Sequence, residues 1–142
     1  METFKRDLNK GIEIEEKILK VIHKKYPNAY RVEGNFKGYD ILIPEIHKTV
    51  EVKCDEKSNE TGNIVVEVEF NGKRSALMTT TADYWVWYDG NEFVWFTPKG
   101  ILECVVETNP KLREFTAKGD TKSKKAYLIK KDVLWKYSLK NI

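Results

Sequence analysis

Two carboxylates and an amine lie on a short apolar stretch, 38-GYDILIPEIHKTVEVKC-54, which reads as two strands around a turn. If the connection runs from Pro44 to His47, Asp40 lies opposite Glu51, with Cβ atoms about 5 Å apart. Like charges this close are unfavourable unless a cation lies between them, and Mg²⁺ is commonly held by one or two carboxylates. The pattern therefore predicts a metal site flanked by Lys53. A solvated strand face is the alternative, because V-E-V-K is also typical of a half-exposed strand.

A third carboxylate, Glu15, falls within the apolar face of the first predicted helix, whereas Glu13 and Glu16 lie off it. A buried, unpaired carboxylate costs several kcal/mol, so Glu15 needs a partner. Two partners are open: an ion pair with Lys53, or a metal ion shared with Asp40 and Glu51.

The elements that must position these residues are predicted from hydrophobic periodicity. Residues 3–25 form an amphipathic helix with an apolar face of Phe4, Leu8, Gly11, Ile12, Ile18, Leu19, Ile22 and Tyr26. Strands are expected at 29–34, 39–43, 49–54, 63–70 and 126–130, with an aromatic hairpin at 82–98 and a short helix at 131–139. Residues 55–63 read as a polar loop and 118–125 as an exposed basic loop, while 99–110 fit a helix or a strand. The expected fold class is α/β (an α+β mixed sheet), with an N-terminal helix followed by a mixed sheet flanked by helices, in a single domain, 1–142.

The composition and charge of the chain indicate what kind of protein it is and what it could bind. The chain has 142 residues, 41% of them hydrophobic and 33% charged, which is typical of a globular protein. No apolar run reaches the roughly 20 residues that a membrane span needs, and the N-terminus lacks a signal-peptide pattern, so an intracellular, cytoplasmic location is expected. Residues 111–142 carry ten basic and three acidic side chains, although the whole chain is only +3. This asymmetry favours a polyanionic partner, with a solvated lysine-rich surface as the alternative.

D-x10-E-x-K across a hairpin, preceded by a helix with an inward Glu, resembles the PD-(D/E)XK nuclease superfamily over roughly residues 8–88. The pattern is similar to that of small phage-type nucleases and archaeal-type Holliday-junction resolvases, so a phage-encoded protein fits. The resemblance implies a restriction-endonuclease-like core that runs helix, three strands, helix, strand. Tyr39 stands where the name-giving Pro would be.

By this resemblance, Asp40, Glu51 and Lys53 are the catalytic residues of a Mg²⁺-dependent DNA endonuclease, with Mn²⁺ as a substitute. Glu15, Asp40, Glu51 and the Val52 carbonyl are the implied metal ligands. The substrate is DNA, the implied products are a 5′-phosphate and a 3′-hydroxyl, and a symmetric homodimer would suit the cutting of two strands.

Other residues have lesser expected roles. Glu67 alternates onto one face of its strand and is a candidate to reach the metal or to orient Lys53. Candidate DNA contacts are basic or hydroxyl side chains, namely Lys73, Arg74, Ser75, Thr79, Thr80, Lys122, Lys124 and Lys125. The hydroxyls could also cap a helix, a role that is compatible with phosphate binding. The aromatics of 82–98 favour core packing over base stacking.

Two other classes of function stay open. One is a nucleic-acid-binding module on the same fold that has lost catalysis. The other is an interaction protein in which Glu15 and Lys53 form only a buried ion pair.

Overall fold

An amphipathic helix opens the chain in a computed structural model that describes residues 2–33, 38–116 and 122–142, with side chains from residue 9 onward. The helices are α1 (Glu2–His23), α2 (Ser58–Thr61), α3 (Pro98–Thr108) and α4 (Lys131–Trp135). The strands are β1 (Tyr30–Arg31), β2 (Ile41–Ile43), β3 (Lys48–Cys54), β4 (Asn63–Phe70), β5 (Lys73–Arg74), β6 (Tyr84–Tyr88), β7 (Phe93–Phe96), β8 (Lys111–Thr116) and β9 (Ser123–Lys130). The predicted mixed α/β class is confirmed.

The first sheet has the order β1-β2-β3-β6-β7 and carries the hairpin of interest. Its strands pair antiparallel except β3 and β6, which are parallel, with Glu51 beside Trp85 and Lys53 beside Trp87. Parallel neighbours need a long crossover. Here the crossover passes through α2, β4, β5 and a 3-10 turn at Ala76–Met78.

The second sheet is antiparallel, in the order β5-β4-β9-β8. Its β4 strand has the bounds predicted for residues 63–70. A register shift between Glu67 and Glu69 marks a bulge that places Val68 outside the regular pairing. Past this bulge, Glu69 and Phe70 lie beside both β5 and β9.

Helix α1 covers one face of the first sheet. Its buried positions Ile14, Ile18 and Ile22 recur every four residues, and Ile18 and Ile22 pack with the sheet residues Ile41, Ile43, Val50 and Val86. Glu15 therefore lies at the edge of the buried stripe rather than at its centre, with 21% of its side chain exposed. The predicted helix-face residues Phe4 and Leu8 lie outside the described side chains.

The opposite face of the first sheet packs against the second sheet. Trp85, Trp87 and Phe96 are buried there with residues of β4, β9, α3 and α4 (Ile64, Val66, Ile129, Ile101, Cys104 and Leu134). The expectation that aromatics of the 82–98 hairpin form core rather than a base-stacking surface is confirmed for these three residues.

Several predicted elements were wrong or incomplete. Lys124 and Lys125 belong to β9 rather than to an exposed loop, because pairing with β4 and β8 extends the strand back to Ser123. Of the loop predicted at 118–125, residues 118–121 lie outside the described residues. The loop predicted at 55–63 contains the one-turn helix α2, and residues 99–110 include helix α3, whose first turn is capped by the Thr97 hydroxyl. Strand β8 was not predicted.

Candidate metal and phosphate site

The β2–β3 hairpin has the predicted register. Ile41 faces Val50 and Leu42 faces Thr49, and the connection is a 3-10 turn at Pro44–Ile46. The turn ends at His47, whose φ of 52° is left-handed. The backbone N–H of Asp40 donates to the Val50 carbonyl at 2.9 Å, so pairing continues one residue beyond β2. Asp40 thereby comes beside Glu51, as the spacing predicted.

The Asp40 carboxylate is fixed against the next strand, because its Oδ2 accepts a hydrogen bond from the backbone N–H of Val52 at 2.7 Å. In an extended strand, the N–H and C=O of one residue point to the same edge. The Val52 carbonyl therefore points toward the edge where the Asp40 carboxylate lies. A side-chain oxygen and a backbone oxygen, both predicted as ligands, share this edge of β3.

Glu51 is the most electrostatically perturbed residue of the site. The pKa of Glu51 is raised from 4.5 to about 7: burial raises it most, Lys53 lowers it, and the charge of Asp40 and a hydrogen bond with Asp40 raise it. The Lys53 Nζ lies 3.5 Å from Glu51 Oε2, and only 22% of the Glu51 side chain is exposed. Near neutral pH, Glu51 and Asp40 thus form a crowded pair of acids that a divalent cation would relieve.

Lys53 is held between a carboxylate and an aromatic ring. Its Nζ lies 4.9 Å from the centroid of the Trp85 ring, within range of a cation–π interaction. The indole N–H of Trp85 donates to Thr80 Oγ1 at 3.1 Å. Thr80, predicted as a phosphate contact, therefore positions the Trp85 ring that the Lys53 ammonium contacts.

Glu15 has a different partner from the one the sequence suggested. Its Oε1 accepts a hydrogen bond from Arg31 Nε at 3.0 Å. Of the two partners that the sequence left open, the ion pair with Lys53 is wrong, because Lys53 pairs with Glu51 instead. Burial raises the pKa of Glu15, the hydrogen bond and charge of Arg31 lower it, and the charge of Asp40 raises it. Glu15 is thus within electrostatic reach of Asp40.

Arg31 was not predicted as a site residue. The signal was slight, because β1 has only two residues and lacks an alternating pattern. Arg31 faces Ile41 across β1 and β2, one residue from Asp40, and only 19% of its side chain is exposed. The only clue in the sequence was an arginine in the predicted strand 29–34, just before the predicted strand that contains Asp40.

The ligand chemistry fits a divalent cation only in part. Among the residues that the structure describes, no three Asp, Glu, His or Cys side chains are arranged to hold a metal ion. Glu15 therefore does not complete a cage of three carboxylates with Asp40 and Glu51. The facing pair alone still suits Mg²⁺, which is usually bound through one or two carboxylates, with water and substrate phosphate completing the octahedron.

The lesser candidates on the crossover contact one another. Glu67, on β4, accepts a hydrogen bond from the Ser75 hydroxyl at 2.8 Å. Ser75 precedes the 3-10 turn but its side chain does not cap it, so the predicted capping role is wrong for this residue. The Thr79 hydroxyl donates to the Ala76 carbonyl at the end of the same turn, at 3.5 Å. Strand alternation places Glu67 on the face of β4 opposite to the buried Ile64 and Val66, turned away from the first sheet, so the predicted contact with the metal or with Lys53 does not fit this position.

The basic candidates lie on the second sheet. Lys73 and Arg74 form the exposed strand β5, and Lys124 and Lys125 lie on β9, with β4 between the two pairs. Lys125 Nζ lies 3.3 Å from Glu69 Oε2. Lys122 is exposed just before β9. Strand pairing thus brings together two basic segments that are about fifty residues apart in the sequence.

No protein-family model, curated protein or solved structure matches this chain. In the described part of the chain, none of the helices combines the length and apolar character needed to cross a membrane.

Proposed function

We propose that the chain is a divalent-metal-dependent DNA endonuclease that hydrolyses phosphodiester bonds at the β2–β3 hairpin. The proposal depends on one observation: Asp40 and Glu51 face each other across the hairpin, and Lys53 is ion-paired to Glu51 at 3.5 Å. Two acids brought together with an amine serve little purpose in a sheet core, because their repulsion costs stability. The same three groups suit the binding of a cation and a phosphate.

Asp40, Glu51 and the Val52 carbonyl would hold Mg²⁺ or Mn²⁺, with Glu15 as a further ligand only if it leaves Arg31. When bound, the cation would polarise the phosphate and lower the pKa of a water molecule. The Lys53 ammonium would orient the attacking water or stabilise the negative charge that develops on the phosphate oxygens. The water oxygen would form a bond to phosphorus and release its proton to solvent as the bond to the 3′ oxygen breaks. The 3′ oxygen would take a proton from solvent, leaving a 5′-phosphate and a 3′-hydroxyl.

The order of elements supports a restriction-endonuclease-like core in part. A helix is followed by three antiparallel strands, β1 to β3, and β6 then joins β3 in parallel. The resemblance implies a helix between these last two strands. In the described crossover, α2 has only four residues. The β4–β5 hairpin and a 3-10 turn therefore stand where the resemblance implies a helix.

One observation favours a nucleic-acid-binding module that has lost catalysis. Arg31 engages Glu15 at 3.0 Å, which neutralises the acid that would otherwise complete the ligand set. In that case a proton on Glu51 would relieve its repulsion with Asp40, and divalent cations would not bind.

The test is a panel of plasmid, linear, flapped and four-way-junction DNAs incubated with Mg²⁺ or Mn²⁺. The wild type is compared with Glu51→Gln and with a control, Glu69→Gln, which removes a carboxylate that is also ion-paired to a lysine but lies on the second sheet. We expect metal-dependent cleavage by wild type and control and none by Glu51→Gln. Cleavage that survives in Glu51→Gln, or that is absent from the whole panel, would contradict the proposal.

A further inference from the structure

The second sheet has one face turned away from the first sheet, here called the outer face. Its inner face contains the buried residues Ile64, Val66 and Ile129, which pack on the tryptophans of β6. Side chains alternate along a strand, and directly opposed residues share a face. Val65 and Leu128, which face each other, therefore lie on the outer face, and Val65 is 37% exposed.

Cations and aromatics alternate across one end of this outer face. Lys73 faces Phe70, Phe70 faces Lys124, and Lys124 faces Phe115, so one row crosses all four strands. Phe70 is 43% exposed, and Phe115 is half-buried. Neighbouring strands are about 4.8 Å apart, so each ring has a cation on a strand next to it.

The rest of the outer face is also basic. Arg113, Lys111 and Lys130 follow on β8 and β9 by the same alternation, and all three are exposed. Within the four strands as described, Glu67 is the one carboxylate on this face, and the Ser75 hydroxyl donates to it. A row of cations with rings between them is complementary to a chain of phosphates and bases.

The inner face at the same end has a balanced charge. Arg74, Glu69, Lys125 and Glu114 form the adjacent row across the same strands, with two cations and two acids. Lys125 is ion-paired to Glu69 at 3.3 Å. The excess of positive charge is therefore on the outer face alone, although lysines and arginines occur on both faces of the sheet.

We propose that the outer face binds a single strand of nucleic acid, with phosphates on Lys73, Lys124 and Arg113 and with bases stacked on Phe70 and Phe115. Stacking on exposed rings tolerates any base, because every base has a π-face. A duplex keeps its base faces within its own stack, so the two rings would favour a single strand. The inference concerns binding alone and does not rest on the cleavage proposed above.

The experiment measures fluorescence anisotropy of a labelled oligothymidine of about 16 nucleotides, and of a duplex of equal length, in chelator over a range of salt. The test variant is Lys73→Gln/Lys124→Gln. The matched control is Arg74→Gln/Lys125→Gln, which removes the same charge from the same two strands, on the inner face. We expect the log–log salt slope for the single strand to flatten by about 1.4 in the test variant and to stay near the wild-type value in the control.

A second pair of variants tests stacking. Phe70→Leu/Phe115→Leu keeps apolar side chains but removes both rings, and Tyr30→Leu is the control, since Tyr30 is 49% exposed on β1 of the other sheet. We expect the double variant to lose about tenfold or more in single-strand affinity and to retain its duplex affinity. Equal salt slopes for the two charge variants, or wild-type preference for the duplex, would overturn the proposal. The charge variants decide the matter alone if the double phenylalanine variant does not fold.

Discussion

The Asp40 carboxylate accepts a hydrogen bond from the backbone N–H of Val52 at 2.7 Å, across the end of the hairpin. Asp40 therefore has two effects on stability that oppose each other. Its hydrogen bond satisfies a part-buried backbone donor, and its charge repels Glu51.

Asp40→Asn and Asp40→Ala separate these two effects. The amide oxygen of Asn still accepts from Val52 and carries no charge, so we expect stability equal to or above wild type. Ala leaves the N–H without its acceptor, and we expect it to be less stable than Asn by about 1–3 kcal/mol. Urea unfolding at neutral pH measures the difference. Equal stability of the two variants would mean that the hydrogen bond is not formed in solution.

Glu51 should make stability depend on pH in a defined direction. Its pKa is raised from 4.5 to about 7, so the folded state binds this proton more tightly than the unfolded chain does. The resulting stability is fully present below about pH 4.5 and is lost as pH rises through about 7. Glu51→Gln removes the titration, so its stability relative to wild type should rise across this interval by at most about 3 kcal/mol.

Urea unfolding of wild type, Glu51→Gln and the Glu69→Gln control at several pH values measures this dependence. The control shows what the loss of an ion-paired carboxylate on the second sheet does, so a rise seen only in Glu51→Gln belongs to the hairpin. A difference between wild type and Glu51→Gln that stays constant with pH would show that Glu51 titrates normally.

The Glu15–Arg31 pair should behave as a partly buried ion pair. Arg31→Gln leaves the Glu15 carboxylate half-buried without its cation, and we expect a loss of about 1–3 kcal/mol. Glu15→Gln should cost less, about 1 kcal/mol, because Glu33 remains 3.7 Å from Arg31 Nη1.

A double-mutant cycle from thermal or urea unfolding measures their coupling. If Glu15 is also a metal ligand, Glu15→Gln lowers the affinity for Mn²⁺ while Arg31→Gln does not. Unchanged Mn²⁺ affinity in Glu15→Gln would make the residue a structural ion-pair partner alone.

Thr80 should stabilise the fold, because its hydroxyl accepts the hydrogen bond from the buried Trp85 indole that Lys53 contacts. Trp85 is 1% exposed, so Thr80→Val leaves its N–H without an acceptor and should destabilise the protein by about 1–3 kcal/mol. Thr80→Ser keeps the hydroxyl and should be nearly neutral. Thr79→Val, at the exposed neighbouring position, is the control and should lie within about 0.5 kcal/mol of wild type in unfolding measurements. If Thr80→Val were as mild as Thr79→Val, the contact with Trp85 would be unimportant.

The hairpin could be predicted from the sequence because its register is a local property. The four-residue connection from Pro44 to His47 and the alternation of V-E-V-K fix which residues face each other. Arg31 could not be predicted in the same way, since its contact with Glu15 depends on how α1 crosses the sheet.

Strand β9, in contrast to the hairpin, could not be predicted from its local sequence. S-K-K reads locally as an exposed turn, but pairing with β4 and β8 on both sides gives Lys124 and Lys125 extended backbone. Strand β8 itself, KLREFT, lies at the sheet edge in the described part of the chain, and its first four residues are exposed, so a buried alternating pattern was absent. Tertiary pairing, rather than local propensity, decides both segments.

The central claim is that Asp40 and Glu51 together bind a divalent cation, and calorimetric titration with Mn²⁺ near neutral pH tests it most directly. Wild type and the Glu69→Gln control should bind with equal affinity, and both Asp40→Asn and Glu51→Gln should bind at least about tenfold more weakly. Binding should also release protons, because Glu51, with a pKa of about 7, must be ionised to act as a ligand. Failure of the wild type to bind Mn²⁺, or equal binding by all four proteins, would contradict the account.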